Sequence, residues 1–215
     1  MENKRFEWMN LTEKSNLLEP WNQFVLNGNH NALSKIYFHY YDQLFTYGLK
    51  HTSDKQIVED SIQTLFLNFI RNRKGIGTVK NLSGYLMSAF RHQLFHNLSN
   101  QKKTILPGEI KEEKFVYFKN QEEEISDKEH LEEVHNAVKK SVDRLPSRQQ
   151  EIIFLHFESG VPYEEIAKML DITIDSCYKS VYRSVRTIRE EVEKILGKGN
   201  NIILWFFSFF HGRKT

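Results

Sequence analysis

The chain has 215 residues, which is enough for one or two small domains with hydrophobic cores. Apolar residues make up 40% of the chain and charged residues 27%, proportions that exclude an intrinsically disordered protein. The net charge is only +2, so the overall charge does not indicate a nucleic-acid-binding protein, and the distribution of charge matters more.

The first predicted element is a short helix around Trp21 to Leu26, within a weakly patterned N-terminal extension of residues 1–29. The extension has no apolar run of the length that a signal peptide requires. No stretch of the chain reaches the ~20 apolar residues of a membrane span. We therefore expect a cytoplasmic protein. The chain has only 4 prolines and 10 glycines, which favours an all-α fold.

Two amphipathic helices are predicted between residues 31 and 70. The first has an apolar face of period 3.6, formed by Leu33, Ile36, Tyr37, Tyr40, Tyr41 and Leu44. After a break at residues 52–54, the second turns Val58, Ile62, Leu65, Phe66 and Phe69 inward. Its other face carries Glu59, Asp60 and Gln63, which suit a basic partner surface. A solvated helix side is the alternative interpretation of that face.

A basic loop and a third helix follow. The loop places Arg71, Arg73, Lys74 and Lys80 around two glycines, which let the backbone and the cations approach phosphate closely. The helix, predicted from Leu82 to Asn100, exposes Arg91, His92 and His96, and Lys102 and Lys103 come directly after it. This stretch therefore offers cations to nucleic acid.

His92 and His96 lie one helical turn apart, a spacing that can bind a metal ion. A zincin-type site requires Glu directly after the first histidine, where this chain has Gln93. No cysteine or carboxylate cluster completes a tetrahedral set of ligands. We therefore expect no metal and no cofactor, and interpret both histidines as DNA-facing or solvated.

Residues 104–134 are predicted to form an acidic linker between two domains. Between Pro107 and Glu133, ten acidic residues stand against four lysines. Such a composition is typical of a partly disordered tether, with a helix starting near Asp127. An apolar island from Phe115 to Phe118 interrupts it and can dock on a folded domain.

Three helical patterns between Leu145 and Arg189 predict a helix-turn-helix. The first ends at Ser159 and Gly160, the second begins at Pro162, and Thr173 can cap the third. The third helix has a packed seam of Cys177, Val181, Val185 and Ile188, and its single cysteine fits a reducing compartment. Its other face can enter a major groove, and carries Tyr178, Lys179, Tyr182, Arg183 and Arg186. A solvated basic face on a small bundle is the alternative.

Two segments resemble bacterial sigma factors. The motifs LPSRQ and GVPYEEIAKMLDI, with the basic helix ending in IRE, are similar to sigma region 4, and VEDSIQTLFLNFI is similar to region 2.2. Their order along the chain resembles an extracytoplasmic-function (ECF) sigma factor, with region 2 over residues 30–103 and region 4 over residues 135–196. Other helix-turn-helix regulators share the second-helix motif, so a stand-alone DNA-binding regulator is the alternative. A protein whose basic helix binds an acidic protein is a third possibility.

The resemblance implies three sets of site residues. Core RNA polymerase would bind, through its clamp, to Glu59, Asp60, Gln63 and Phe66. Melted minus-ten DNA would be held, with one base turned out of the stack, by Arg71, Arg73, Lys74, Arg91, His92, His96, Lys102 and Lys103. The minus-thirty-five duplex would be read by Arg148, Tyr178, Lys179, Tyr182, Arg183 and Arg186. The promoter-recognition pattern ARN-x-x-x-D-x-x-R is only partly matched, because this chain has Arg91 followed by His92, His96 and Ser99.

The C-terminal tail, residues 197–215, is strongly apolar from Ile202 to Phe210 but too short to span a bilayer. It can pack on the protein, bind a partner such as an anti-sigma factor, or touch a membrane surface with Arg213 and Lys214 as anchors. The chain has no phosphate-binding glycine-rich loop and no nucleophile elbow. We therefore expect no catalysis and no small-molecule substrate.

Overall fold

The computed structural model describes residues 17–105, 115–117 and 129–196, and its secondary structure over these ranges is helical. Helices α1 to α4 form an N-terminal lobe, and α5 to α8 form a C-terminal lobe. The helix bounds are α1 Leu18–Asn27, α2 His30–His51, α3 Lys55–Arg71, α4 Leu82–Ile105, α5 Glu129–Asp143, α6 Ser147–Ile153, α7 Tyr163–Met169 and α8 Ile174–Leu196. The apolar tail lies outside the described residues.

Side-chain caps fix where several helices begin. The Asn29 side chain accepts a hydrogen bond from the Ala32 amide at the start of α2, and Asp54 accepts from Gln56 and Ile57 at the start of α3. Thr173 Oγ1 accepts from the Ser176 amide at 3.1 Å, which confirms the predicted cap of α8. Each cap satisfies an amide that has no partner inside its helix.

The N-terminal lobe begins earlier than the residue-30 boundary expected from the sequence. Trp21 and Phe24 of α1 are fully buried, and the Trp21 ring lies 5.2 Å from Phe69 and 5.5 Å from Tyr85, measured between centroids. These edge-on contacts join α1 to α3 and α4. The short helix predicted around Trp21 is therefore part of the lobe core and not of an extension.

In the C-terminal lobe, α5 and α8 pack along each other, and α6 and α7 lie across α8. The buried seam of α8 contains Cys177, Val181, Ile188 and Val192, while Val185 is half-buried. A π-helical turn over Phe154–Glu158 extends α6, and the chain then reverses at Gly160, where φ is 62°. The predicted helix-turn-helix is thus present, with α7 as its second helix and α8 as its third.

The two lobes contact each other directly. Gln43 Nε2 donates to the Glu158 carbonyl at 3.2 Å, and Ser83 Oγ donates to the Ser159 carbonyl at 2.6 Å. Both carbonyls lie at the end of the π-helical turn, where the backbone leaves the α-helical hydrogen-bond pattern. Phe115 and Tyr117 of the predicted linker are buried, so these two residues of the apolar island dock on folded structure.

Candidate functional site

The outward face of α8 is the largest group of predicted site residues that the structure brings together. Tyr178 is 49% exposed and Tyr182 71%, and the three cations between and after them are also exposed. Lys179 pairs with Asp175 at 2.7 Å and Arg186 with Glu190 at 2.7 Å, both on the helix surface. Among the described residues Arg183 has no ion-pair partner. Its guanidinium is therefore available to an anionic or guanine-bearing ligand.

An aromatic stack supports the first turns of α8. The His156 ring stacks on Tyr163 with centroids 4.0 Å apart, and Tyr163 contacts Tyr178 with centroids 4.2 Å apart. Burial raises the pKa of Tyr163 to about 12 and lowers the pKa of His156. Both rings are therefore uncharged near neutral pH. Sequence reasoning missed His156 and Tyr163, because the stack joins three elements that a periodic pattern does not relate.

Arg148, which was predicted to contact DNA, and Cys177, which was predicted to be packed, both have structural roles in this lobe. Arg148 Nη2 donates to the carbonyl of Leu170, which ends α7, so its charge lies at the negative end of a helix. Cys177 is buried in the seam, and burial raises the pKa of its thiol to about 11. Arg148 thus holds the turn between α7 and α8, and Cys177 is a packed thiol.

The outer face of α3 carries the acidic and amide groups predicted from the sequence. Asp60 and Gln63 are exposed and Glu59 is half-exposed. Leu67 is 48% exposed and Ile70 is 41% exposed, and both continue the same helical side. This α3 face is therefore a polar strip that becomes apolar toward the C-terminal end of the helix.

Phe66 does not belong to that face. It is 6% exposed, and its ring lies 5.0 Å from Tyr37 and 5.8 Å from Phe69 between centroids. The structure places Phe66 in the core of the N-terminal lobe, where it can support the α3 face but cannot itself touch a partner without repacking.

An open groove of about 720 Å³ runs between α3, the turn over Arg73–Gly75 and α4. Polar and aromatic side chains line it, including Asn68, Tyr85, Ser88, His92 and Gln93. The exposed Arg71 and Lys74 lie next to it in the chain. The groove carries amide and imidazole groups at its wall. The sequence did not predict the lining of this groove, because the groove forms only when α3, the turn over Arg73–Gly75 and α4 are placed relative to one another.

Two arginines that were predicted to contact DNA are instead hydrogen-bonded to other parts of the protein. Arg73 Nη1 donates to the Val25 carbonyl at 2.6 Å and to the Leu26 carbonyl at 3.1 Å, near the C-terminus of α1. The side chain of Arg91 is 18% exposed, and its Nε donates to Glu151 Oε1 at 3.1 Å. The sequence pattern gives only the charge of each residue and the side of the helix on which it lies. It does not show these bonding partners, because they come from distant segments of the chain.

The remaining residues that were predicted to hold minus-ten DNA lie on α4. His92 and His96 are exposed, and they line a second pocket of about 450 Å³ with Arg91, Lys168 and Met169. Lys102 and Lys103 belong to α4, but their side chains are outside the described residues.

In the ranges 17–105, 115–117 and 129–196, no group of three or more His, Cys, Asp or Glu side chains is arranged to hold a metal ion. Nor does any helix there have the length and apolarity to cross a membrane.

A family model matches one part of the chain. Residues 135–188, which cover α6 to most of α8 and part of α5, match the family model described as Sigma-70, region 4. Comparison with the curated proteins finds no match. Among solved structures, the chain is similar to the sigma factor RpoE in complex with the anti-sigma factor NepR from Bartonella quintana. That likeness has 18% identity over 78% of this chain and 98% of the other, with a TM-score of 0.50, so the two share a fold. A structure of the RsbN–BldN complex has 18% identity over 79% of this chain and 97% of that one, with a TM-score of 0.32.

Proposed function

We infer that this chain belongs to the bacterial RNA polymerase sigma factors of the ECF type, and that it directs core polymerase to promoters and assists DNA melting. The observation that carries this conclusion is the region 4 match over residues 135–188, in which α8 presents its basic and aromatic face to solvent. The all-helical architecture agrees with that of a sigma factor along most of the chain. The α3 face adds a separate candidate surface for a protein partner.

The outward face of α8 reads the minus-thirty-five element. A recognition helix of this kind lies in the major groove, where arginine bonds guanine or phosphate and aromatic rings meet thymine methyl groups. Arg183 is the strongest candidate for a base contact, because its guanidinium has no acidic partner among the described residues. On binding DNA, Lys179 and Arg186 leave their ion pairs with Asp175 and Glu190 and pair with phosphates instead. Arg148 contributes to this promoter recognition indirectly, because it fixes the end of α7 and does not touch DNA.

The groove beside α4 holds an unstacked base of the minus-ten element. Turning a base out of the stack costs a few kcal/mol, and a pocket offsets that cost through stacking and hydrogen bonds. Tyr85 offers a ring, and Asn68, Gln93 and His92 offer hydrogen-bonding groups in one groove. Arg71 and Lys74 bind the phosphates of the same strand, and His96 is a further contact of α4. Lys102 and Lys103, in the last turns of α4, belong to the same proposed set.

The α3 face binds the clamp of core polymerase. Its carboxylates and amide attract basic groups, and Leu67 and Ile70 add apolar area that a partner can cover. The chain would act in the cytoplasm, without a cofactor and without catalysis of its own. The RpoE structure that shares this fold is a complex with the anti-sigma factor NepR, and we propose that this chain also binds an anti-sigma factor.

Binding of promoter DNA with and without core polymerase tests this function against a stand-alone regulator. A sigma factor binds promoter duplex weakly alone and tightly once core polymerase is added. In a gel-shift series on genomic promoter fragments, we expect specific complexes only when core enzyme is present. Tight duplex binding by the chain alone, with no supershift on adding core enzyme, would identify a stand-alone regulator instead.

A further inference from the structure

The amide relay (Ser61, Asn97, Gln93 and Asn68) is a chain of side-chain hydrogen bonds between α3 and α4. Ser61 Oγ donates to the Ile57 carbonyl at 2.6 Å, and Asn97 Nδ2 donates to Ser61 Oγ at 2.9 Å. Gln93 Nε2 donates to Asn97 Oδ1 at 2.9 Å, and Asn68 Nδ2 lies 3.5 Å from Gln93 Oε1. Gln93 and Asn68 both line the groove of about 720 Å³, so the relay ends in the groove wall.

The Ile57 carbonyl fixes the direction of every bond in the relay. A carbonyl oxygen can only accept, so the single hydroxyl proton of Ser61 points to it. The Ser61 oxygen can then only accept, which sets the Asn97 nitrogen toward Ser61 and the Asn97 oxygen toward Gln93. That oxygen in turn requires the Gln93 nitrogen. The Gln93 oxygen is therefore left at the groove wall, beside the Asn68 nitrogen.

The groove wall thus has a fixed polarity, with an acceptor on Gln93 next to a donor on Asn68. A free amide side chain can turn over and exchange its acceptor for its donor. Turning Gln93 over inside the relay would set its oxygen against the Asn97 oxygen. The half-buried groups would then lose their partners, which costs more than one hydrogen bond ordinarily contributes.

This polarity matches one class of base. Adenine and cytosine carry an exocyclic amino group next to a ring nitrogen that has no proton. The amino group can donate to Gln93 Oε1 while the ring nitrogen accepts from Asn68 Nδ2. In thymine and uracil the ring N–H lies between two carbonyl oxygens, and both of these repel the Gln93 oxygen.

We propose that the amide relay makes the groove selective for an unstacked base that has an exocyclic amino group, adenine or cytosine. This inference rests on the proposed function, in which the groove holds an unstacked base of the minus-ten element. Gln93 is the residue that contacts the base. Ser61 is fully buried and does not touch the base, so Ser61 and Asn97 are positioning residues that fix which end of the Gln93 amide meets it.

Base analogues in a promoter bound by the holoenzyme test this selectivity. The promoter is taken from run-off transcription, and a rise in 2-aminopurine fluorescence locates the unstacked position of its non-template strand. At that position we expect adenine to bind roughly tenfold more tightly than purine, which lacks the amino group, and cytosine roughly tenfold more tightly than uracil. Within each pair the two bases differ at the amino group and closely match in ring size.

Variants of the positioning residues test how the selectivity arises. Ser61→Ala removes the hydroxyl that orients Asn97, so both orientations of Gln93 become accessible, and we expect the selectivity to fall to about twofold or less. Ser61→Thr keeps a hydroxyl and should keep the selectivity.

A second substitution separates this role from simple packing. Adding Asn97→Asp to Ser61→Ala should restore the selectivity, because a carboxylate can only accept and again draws the Gln93 nitrogen toward itself. The added negative charge weakens the binding of each base alike, so the ratio of affinities is the quantity to compare. Loosened packing of α3 on α4 would not be restored by this change.

Equal affinities within each pair of bases for the unaltered chain would overturn the inference, and so would an unchanged ratio in Ser61→Ala. A chain that does not associate with core polymerase would instead contradict the proposed function. The two failures are therefore distinguishable.

Titration of the free chain with nucleotides tests the groove wall without polymerase. In nuclear magnetic resonance spectra of the side-chain amides, we expect deoxycytidine monophosphate to shift the Gln93 and Asn68 signals at lower concentration than deoxyuridine monophosphate. Ser61→Ala should remove that difference. Equal responses of the unaltered chain to the two nucleotides would overturn the inference, whatever the result with polymerase.

Discussion

Tyr163 of α7 contacts Tyr178 of α8 with ring centroids 4.2 Å apart. The second helix of the helix-turn-helix thus supports the first exposed aromatic residue of the recognition helix. Tyr163 is also stacked on His156 from the end of α6. In the proposed function, the position of Tyr178 at the DNA is therefore set by side chains that do not need to touch DNA.

Replacing Tyr163 with alanine should weaken promoter binding through this support. An aromatic pair contributes about 0.5–1.5 kcal/mol beyond its buried area, and about 1.4 kcal/mol corresponds to tenfold in affinity. We expect Tyr163→Ala to reduce holoenzyme affinity for the minus-thirty-five element several-fold, and Tyr163→Phe to retain it. Fluorescence anisotropy with labelled promoter measures both. Equal loss in the two variants would show that the hydroxyl, and not the ring, is needed.

Arg183→Ala should impair promoter recognition and leave polymerase binding intact. Removing one phosphate contact lowers the slope of log affinity against log salt by about one unit, and removing a base contact costs about 1–3 kcal/mol at one position. Arg144→Ala is a suitable control, since Arg144 is an exposed arginine of the same lobe that pairs with Glu191. Salt titrations of holoenzyme binding distinguish the two variants. Similar slopes and affinities for both would remove Arg183 from the DNA-reading face.

Leu67→Ser should weaken binding of core polymerase. Leu67 is 48% exposed on the α3 face, and covering such a side chain contributes on the order of 1 kcal/mol. Leu26→Ser provides a matched control, because Leu26 is 75% exposed on α1 and lies outside that face. We expect a several-fold increase in the dissociation constant for the first variant only, with thermal stability of both unchanged. Two equally weakened variants would indicate a different polymerase-binding surface.

Arg71→Ala and Arg73→Ala should separate a DNA contact from a structural one. Arg73 bonds two carbonyls near the end of α1, and a hydrogen bond to a charged group contributes about 1.5–3 kcal/mol. Because Arg73 is only half-buried, we expect a loss near or below the lower end of that range in urea unfolding. Arg71 is exposed, so its substitution should lower minus-ten binding without changing stability. The opposite pattern would reverse the two assignments.

The stability of the C-terminal lobe should fall as the pH is lowered below neutral. Burial lowers the pKa of His156 in the folded state, so the unfolded chain binds a proton first, at its ordinary pKa near ~6.5. Between that pH and the lower folded-state pKa, protonation favours unfolding. His156→Phe keeps a ring beside Tyr163 and should reduce the loss of thermal stability between about pH 7.5 and about pH 5.5. A loss as large as in the unaltered chain would place the titrating group elsewhere.

Helical periodicity was sufficient to predict α2, α3, α4 and the helix-turn-helix, because each buries one face in a local repeat. It failed where a side chain takes a partner from a distant segment. Arg73, Arg91 and Arg148 all read as free cations in the sequence, yet each bonds a carbonyl or carboxylate that the fold brings to it. The docking of Phe115 and Tyr117 was foreseeable from their apolar character, but its place between the lobes was not.

Run-off transcription with purified core polymerase is the most direct test of the central claim, that one helical lobe binds the enzyme while the other reads duplex. We expect discrete transcripts from genomic fragments when the chain is added, and their loss with Arg183→Ala despite normal association with core enzyme. Failure of the unaltered chain to associate with core polymerase at low salt, together with the absence of any transcript, would contradict the claim.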